Sequence, residues 1–279
     1  MTRTPIAARL VAALAFAACT VHRAAAQEPM PPHETFTLHS AALNETRRIN
    51  VYIPPGFNTA RSAALPVLYM PDGGVEEDFP HVSSTVHAGI AAGEMRPMMV
   101  VGIENTERRR DMTGPTTVEE DRRIAPRVGG SAAFRAFIAN ELIPEIGRRY
   151  RVSGERAIIG ESLAGLFVVE TFLAQPDLFD TYVALSPSLW WNGEALVRTA
   201  GDRLRAEPCT TATLFLSSAD AEENIAPSVV RLTEQLRAAA PAGVRWRYVP
   251  RPDLQHSTIY RSSAPGVLRD LFPAKRPAR

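Results

Sequence analysis

Apolar and polar positions divide this chain into two kinds of segment. Residues 34–40 alternate with a period of two, and residues 47–53 (Arg-Arg-Ile-Asn-Val-Tyr-Ile) alternate again before Pro54-Pro55-Gly56 stops the run. Such alternation marks strands with one buried face, and two in succession are expected to pair as an antiparallel edge. The pattern then changes. Residues 65–70, 97–103, 157–159, 181–185, 211–216 and 244–249 are short, nearly continuous apolar runs. These read as strands buried on both faces, as in a parallel sheet. Between them apolar residues recur at helical spacing: in a stretch between the strands at 65–70 and 97–103, over 131–150 despite Pro144, and over 163–173, 228–240 and 264–271. Strand alternating with helix implies an α/β fold, with a mainly parallel central sheet covered by helices on both faces. A polar loop, 104–114, carries Arg108, Arg109 and Arg110.

The first 26 residues do not fit this scheme. Arg3 and Arg9 precede an apolar core from Leu10 to Ala18, and Ala24-Ala25-Ala26 precede Gln27. A positive start, an apolar core and a small-residue site describe an export signal cleaved after Ala26. Phe16-Ala17-Ala18-Cys19 offers a second route, because it resembles a lipoprotein box that would leave a lipid anchor on Cys19. Either route places the working protein outside the cytoplasm, periplasmic or secreted. The remaining 27–279 are long enough for one sizeable domain. The whole chain has 279 residues, 45% of them hydrophobic, and a net charge of +1. That balance gives no bulk argument for nucleic acid. Cys209 is the only cysteine after the leader, and no Cys/His metal-ligand spacing occurs. No apolar run beyond the leader is long enough to cross a bilayer.

The chemistry concentrates at Gly160-Glu161-Ser162-Leu163-Ala164-Gly165, which follows the strand at 157–159 and opens the helix at 163. Strand, sharp turn and helix around Gly-x-Ser-x-Gly form a nucleophile elbow, which holds its serine in strained backbone geometry and exposes Oγ above the sheet. Small residues are needed two before and two after the serine, where strand and helix pass closely. Gly160, Ala164 and Gly165 meet that need.

In a doubly wound sheet the ligand lies beyond the carboxyl ends of the strands. The loops at those ends hold Gly73-Gly74, the arginine cluster, Ser162, Trp190-Trp191, an acidic cluster at 220–223, and His256. Serine, then acid, then histidine is the chain order of α/β-hydrolases. Ser162 is thus the expected nucleophile and His256 its general base. The acid that orients the imidazole would be Glu222, by its distance past the strand end, with Asp220 and then Glu223 as alternatives. A Ser–His pair without an acid is the remaining arrangement. The backbone N–H of Leu163 should supply half of an oxyanion hole, and Gly73 or Gly74 the other half. Arg108 and Arg110 read either as receptors for an anionic or phenolate substrate or as solvated charges. Trp190 and Trp191 read either as pocket walls or as packing over the sheet edge. His81 or His87 could also face the substrate.

Five segments together resemble the α/β-hydrolase esterases of the esterase D and enterochelin-esterase-like group, in order and over most of the chain after the leader. They are Leu65-Pro-Val-Leu-Tyr-Met-Pro-Asp72-Gly73; Val100-Val-Gly-Ile-Glu-Asn105-Thr106-Glu-Arg108-Arg-Arg110-Asp111; Gly160-Glu-Ser162-Leu-Ala-Gly165; Ser186-Pro-Ser-Leu-Trp-Trp-Asn192; and the loop around His256. The resemblance implies an α/β-hydrolase fold, a serine esterase without cofactor, and substrates among siderophore trilactones or simpler carboxylic esters. The family's serine and histidine carry over to Ser162 and His256. Two readings compete with hydrolysis: an acyltransferase using the same acyl-enzyme, and a non-catalytic binding protein on the same fold.

Overall fold

The alternating segments form β1 (Glu34–Ser40) and β2 (Glu45–Tyr52), paired antiparallel as expected. Then follow β3 (Leu65–Met70), α1 (Phe79–Ala91), β4 (Met99–Ile103), α2 (Arg108–Met112), α3 (Glu119–Ile124), α4 (Ser131–Phe137) and α5 (Ile143–Arg149). The second half runs β5 (Val152–Glu161), α6 (Leu163–Ala174), β6 (Thr181–Leu185), α7 (Trp191–Ala206), β7 (Ala212–Ala219), α8 (Ile225–Ala239), β8 (Val244–Arg251) and α9 (His256–Leu271). This computed structural model describes residues 30–57, 63–207, 210–219 and 225–274. The leader with Cys19, Cys209, and the acid candidates Asp220, Glu222 and Glu223 lie outside the described residues.

The eight strands make one sheet in the order β1-β2-β4-β3-β5-β6-β7-β8. β2 pairs antiparallel with β4, and every pairing from β4 through β8 is parallel. The apolar run in β5 shows why these strands do not alternate. Ile158 and Ile159 are both fully buried, yet they face different apolar clusters on the two sides of the sheet. Burial of each such side chain contributes roughly 1.5–3 kcal/mol. One side is covered by α6, which is buried nearly all round and therefore shows little amphipathic stripe. The other is covered by α1 and α9, through Phe79, Val82 and Val86 and through Tyr260, Ala264 and Leu268.

Several element readings need correction. The 131–150 helix is interrupted by a π-helical stretch, Ile138–Leu142, which leads into Pro144 in the first turn of α5. The 104–114 loop contains α2. α7 is a further helix, whose Val197, Ala200, Gly201 and Leu204 recur at helical spacing after a first turn that Asn192, Gly193 and Glu194 break with left-handed backbone. The last helix begins at His256, not 264. Its first two turns are mostly polar, and a Gln255–Thr258 capping box, not an apolar stripe, starts it.

Candidate active site

β5 delivers Ser162 to the carboxyl edge of the sheet, and α6 leaves from it. The serine has φ 60° and ψ −121°. A non-glycine residue there costs of order 1–3 kcal/mol and persists only where its surroundings fix it. Here they do. The Ser162 N–H donates to Leu185 O at 3.1 Å, and its carbonyl accepts from Ser188 N at 3.0 Å and Leu166 N at 2.9 Å. The turn is so tight that a Cβ on Gly160 would lie 2.6 Å from the Ala164 carbonyl carbon. Gly160 is thus obligatory, while Ala164 fits where glycine is usual.

His256 arrives from the far end of the chain, held at the first position of α9 by the capping box. Its Nε2 lies 3.0 Å from Ser162 Oγ. Ser188 Oγ, from the turn after β6, lies 3.4 Å from the same oxygen. A hydroxyl against a histidine ring nitrogen is the arrangement that activates a serine nucleophile. Glu161 was not singled out in the sequence. Its Oε1 lies 3.1 Å from His256 Nε2, with the two side chains 17% and 22% exposed. Its position beside the serine was the available signal. Ser188 lies in the Ser186–Asn192 segment, where nothing in the sequence distinguishes it from Ser186.

Arg108 reaches this edge of the sheet but is already engaged. Its guanidinium grips Asp72 with both arms, at 2.6 and 2.8 Å, and Asn105 Nδ2 donates to the same carboxylate at 2.6 Å. Burial alone would lower the Arg108 guanidinium, but Asp72, Glu161 and Asp78 outweigh that and hold it above its usual value. The neighbouring carboxylates are also raised, which for an acid disfavours the charged form. Burial and the charge of Asp72 push Asp78 up, and burial with that same charge pushes Glu77 up against its hydrogen bonds.

Arg110 does not serve the site as a free anion receptor. It donates to Asp111 and Glu45, beside the fully buried Arg47 that pairs with the same two acids. Trp191 is likewise core, 4% exposed, with its indole N–H donating to Gly114 O at 3.0 Å. Trp190 is half-buried, two residues beyond Ser188, with its ring centroid 5.9 Å from that of Trp191. Of the pair, only Trp190 retains the pocket-wall reading.

The expected oxyanion donors divide the same way. Leu163 opens α6, where an N–H has no acceptor within the helix. Gly73 N–H donates to Ile103 O at 3.0 Å, and Gly74 N–H donates to Glu77 Oε2 at 2.7 Å. Gly73 is glycine for another reason: a Cβ there would lie 2.2 Å from Ile103 N. His81 is buried edge-on to Tyr260, and His87 Nδ1 lies 3.0 Å from Tyr52 Oη. A groove of about 820 Å³ between α1 and α9 includes His87, Glu94 and Arg269 but neither Ser162 nor His256. Among the described residues no cluster of acids, histidines or cysteines is placed to hold a metal, and no helix is long and apolar enough to cross a membrane.

Comparison with known proteins follows the same line. The family model described as "Putative esterase" matches residues 40–236. Ferri-bacillibactin esterase BesA of Bacillus subtilis (strain 168) is 34% identical over 169 residues, covering 53% of this chain and 56% of that protein. The siderophore triacetylfusarinine C esterase of Aspergillus fumigatus is 29% identical over 187 residues, covering 62% of this chain and 61% of that protein. The chain thus spans less than two thirds of the length of these curated relatives. An IroE-like serine hydrolase from Shewanella oneidensis superposes with a TM-score of 0.77 at 26% identity, covering 86% of this chain and 80% of that one. The shared architecture is the α/β-hydrolase fold.

Proposed function

The chain belongs to the esterase family, and on that premise we propose that it is an exported serine carboxylic-ester hydrolase. The observation that carries this reading is the 3.0 Å approach of His256 Nε2 to Ser162 Oγ at a strained elbow. Ser162 Oγ attacks the ester carbonyl while His256 takes its proton. The tetrahedral oxyanion forms against the Leu163 N–H, a kind of contact whose loss costs about 2.7–4 kcal/mol. His256 then returns the proton to the leaving alcohol, and an acyl-enzyme remains on Ser162. Water, deprotonated by His256, hydrolyses it. Glu222 remains the favoured orienting acid, with Asp220 next. Gly74 becomes a second oxyanion donor only when Glu77 releases its N–H.

The named relatives direct the substrate search towards siderophore esters. The arginine argument for a catecholate loses force, since Asp72 answers Arg108 and Glu45 with Asp111 answers Arg110. Aromatic and short acyl esters therefore stand beside siderophore trilactones as substrate classes. Export rests on the composition of residues 1–26. The test is hydrolysis of p-nitrophenyl acetate, p-nitrophenyl butyrate and a catecholate trilactone by the leader-less protein and its Ser162→Ala variant. Turnover that depends on Ser162 is expected, with the preferred ester choosing the class. Equal turnover by both proteins would overturn the mechanism.

A further inference from the structure

The serine-hydrolase reading gives His256 the proton transfers but leaves Glu161 without a role, although its carboxylate lies as near His256 Nε2 as Ser162 does, at 3.1 Å against 3.0 Å. The contact is to the nitrogen that exchanges protons with the serine. A triad acid would sit instead on Nδ1. A carboxylate beside Nε2 repels that nitrogen's lone pair while the ring is neutral. Once Nε2 has taken a proton, the same carboxylate attracts it. The interaction is therefore stronger after proton transfer than before it, which is the condition for lowering a barrier.

The position of His256 gives such a contact work to do. His256 is the first residue of the 16-residue helix α9. The positive end of a helix dipole disfavours a cation there. Unopposed, this field would make the imidazole a poorer base. We propose that Glu161 is a positioning residue that offsets the α9 dipole and raises the basicity of His256.

The orienting acid proposed for Nδ1 would favour the charged ring as well, and Glu161 adds to it from the Nε2 side. The charged and titratable neighbours among the described residues fit this reading. Arg108 of α2 is coupled to Glu161 but is also bonded to Asp72 in the loop after β3. Asp78 immediately precedes α1 and faces Arg261 of α9 at 3.7 Å. Tyr260, one helical turn after His256, is pushed further from ionisation by burial and by Asp78, Asp72 and Glu161, so it stays neutral. His81 of α1 packs against the Tyr260 ring. Arg108 therefore stabilises Glu161 as a carboxylate, and Asp72 limits how far that cation cancels its effect on His256.

Active enzyme needs neutral His256, so kcat/KM must fall as the pH drops through its pKa. A carboxylate that favours the charged ring moves this acid limb to higher pH. Glu161→Gln keeps the shape and removes the charge. Its acid limb is expected about one pH unit or more below that of the parent, since an opposite charge at 4–6 Å moves a pKa by that order. Its plateau kcat should drop by up to about tenfold, the equivalent of one pKa unit, with KM little changed. Glu161→Asp, which keeps the charge, should restore most of the limb. An NMR titration of the His256 ring in Ser162→Ala, with and without Glu161→Gln, reads the same coupling without turnover. Superimposable acid limbs, or equal His256 pKa values in that titration, would overturn the proposal. A shifted His256 pKa in a protein whose turnover survives Ser162→Ala would uphold the coupling and overturn the serine mechanism instead.

Discussion

Two arginines two residues apart in α2 have opposite fates. Arg110 turns into a cluster with Glu45, Arg47 and Asp111, where Arg47 is wholly buried and Asp111 nearly so. Arg108 turns to the carboxyl edge of the sheet, grips Asp72 and stays about a third exposed, within electrostatic reach of Glu161. Both are cations bonded to carboxylates. The first cluster is closed in the sense that its charges meet one another. The second lies within electrostatic reach of Glu161, next to Ser162, and on the proposed mechanism its charges act on a proton that moves. The same chemistry holds the fold in one place and biases the site in the other, so the two clusters should respond oppositely to substitution.

Disabling the open side should have the largest effect. His256→Ala is expected to lower kcat/KM by about 10⁴-fold or more, the scale of losing a member of such a unit. Its melting temperature should barely change, because the ring is partly exposed. Steady-state kinetics beside a thermal melt checks both halves of that statement.

The closed side should do the reverse. Asp111→Ala leaves Arg47 buried without one of its carboxylates, a kind of change that costs about 3–5 kcal/mol. Denaturant titration should show that loss, while kcat/KM per folded molecule stays within a few-fold of the parent. A large catalytic defect at full stability would erase the distinction between the clusters.

Arg108→Gln should fall between these extremes. Asp72 is buried but keeps Asn105 as a partner, so the stability loss should be smaller than that of Asp111→Ala. The site should still register the change, with an altered pH profile and a modest loss of kcat/KM.

The smallest effect belongs to pH and stability at the closed cluster. Burial alone would raise the Glu45 carboxyl, but hydrogen bonds from Arg110 and Thr106 and the charges of Arg47 and Arg110 carry it below its ordinary value. A carboxyl with a depressed folded pKa adds stability above its unfolded pKa and loses it as pH falls through the folded value. The melting temperature should therefore decline below about pH 4.5, the ordinary value for this group. Glu45→Gln should flatten that decline. An unchanged acid slope would mean that other carboxylates set it.

What the sequence revealed divides along physical lines. β6 and the elbow were legible because their signals are local: an apolar run, and small residues around a serine. The division between Arg108 and Arg110 was not, because it depends on Asp72 and Glu45, which lie 36 and 65 positions away. Trp191 stood between pocket wall and sheet-edge packing, because nothing near it in sequence announces a bond to Gly114 O. Gly73 looked like an oxyanion donor for want of any sign that β4 would press against it. Glu161 needed the opposite insight: its partner is 95 residues away, and only the sheet order brings β5 and α9 together at one edge.

The most direct test is labelling by a fluorophosphonate, followed by peptide mass spectrometry. Stoichiometric modification of Ser162 is predicted, absent in Ser162→Ala and greatly slowed in His256→Ala. Modification of another serine, or ester hydrolysis that continues undiminished in Ser162→Ala, would contradict the assignment of Ser162 and His256 as the reacting pair.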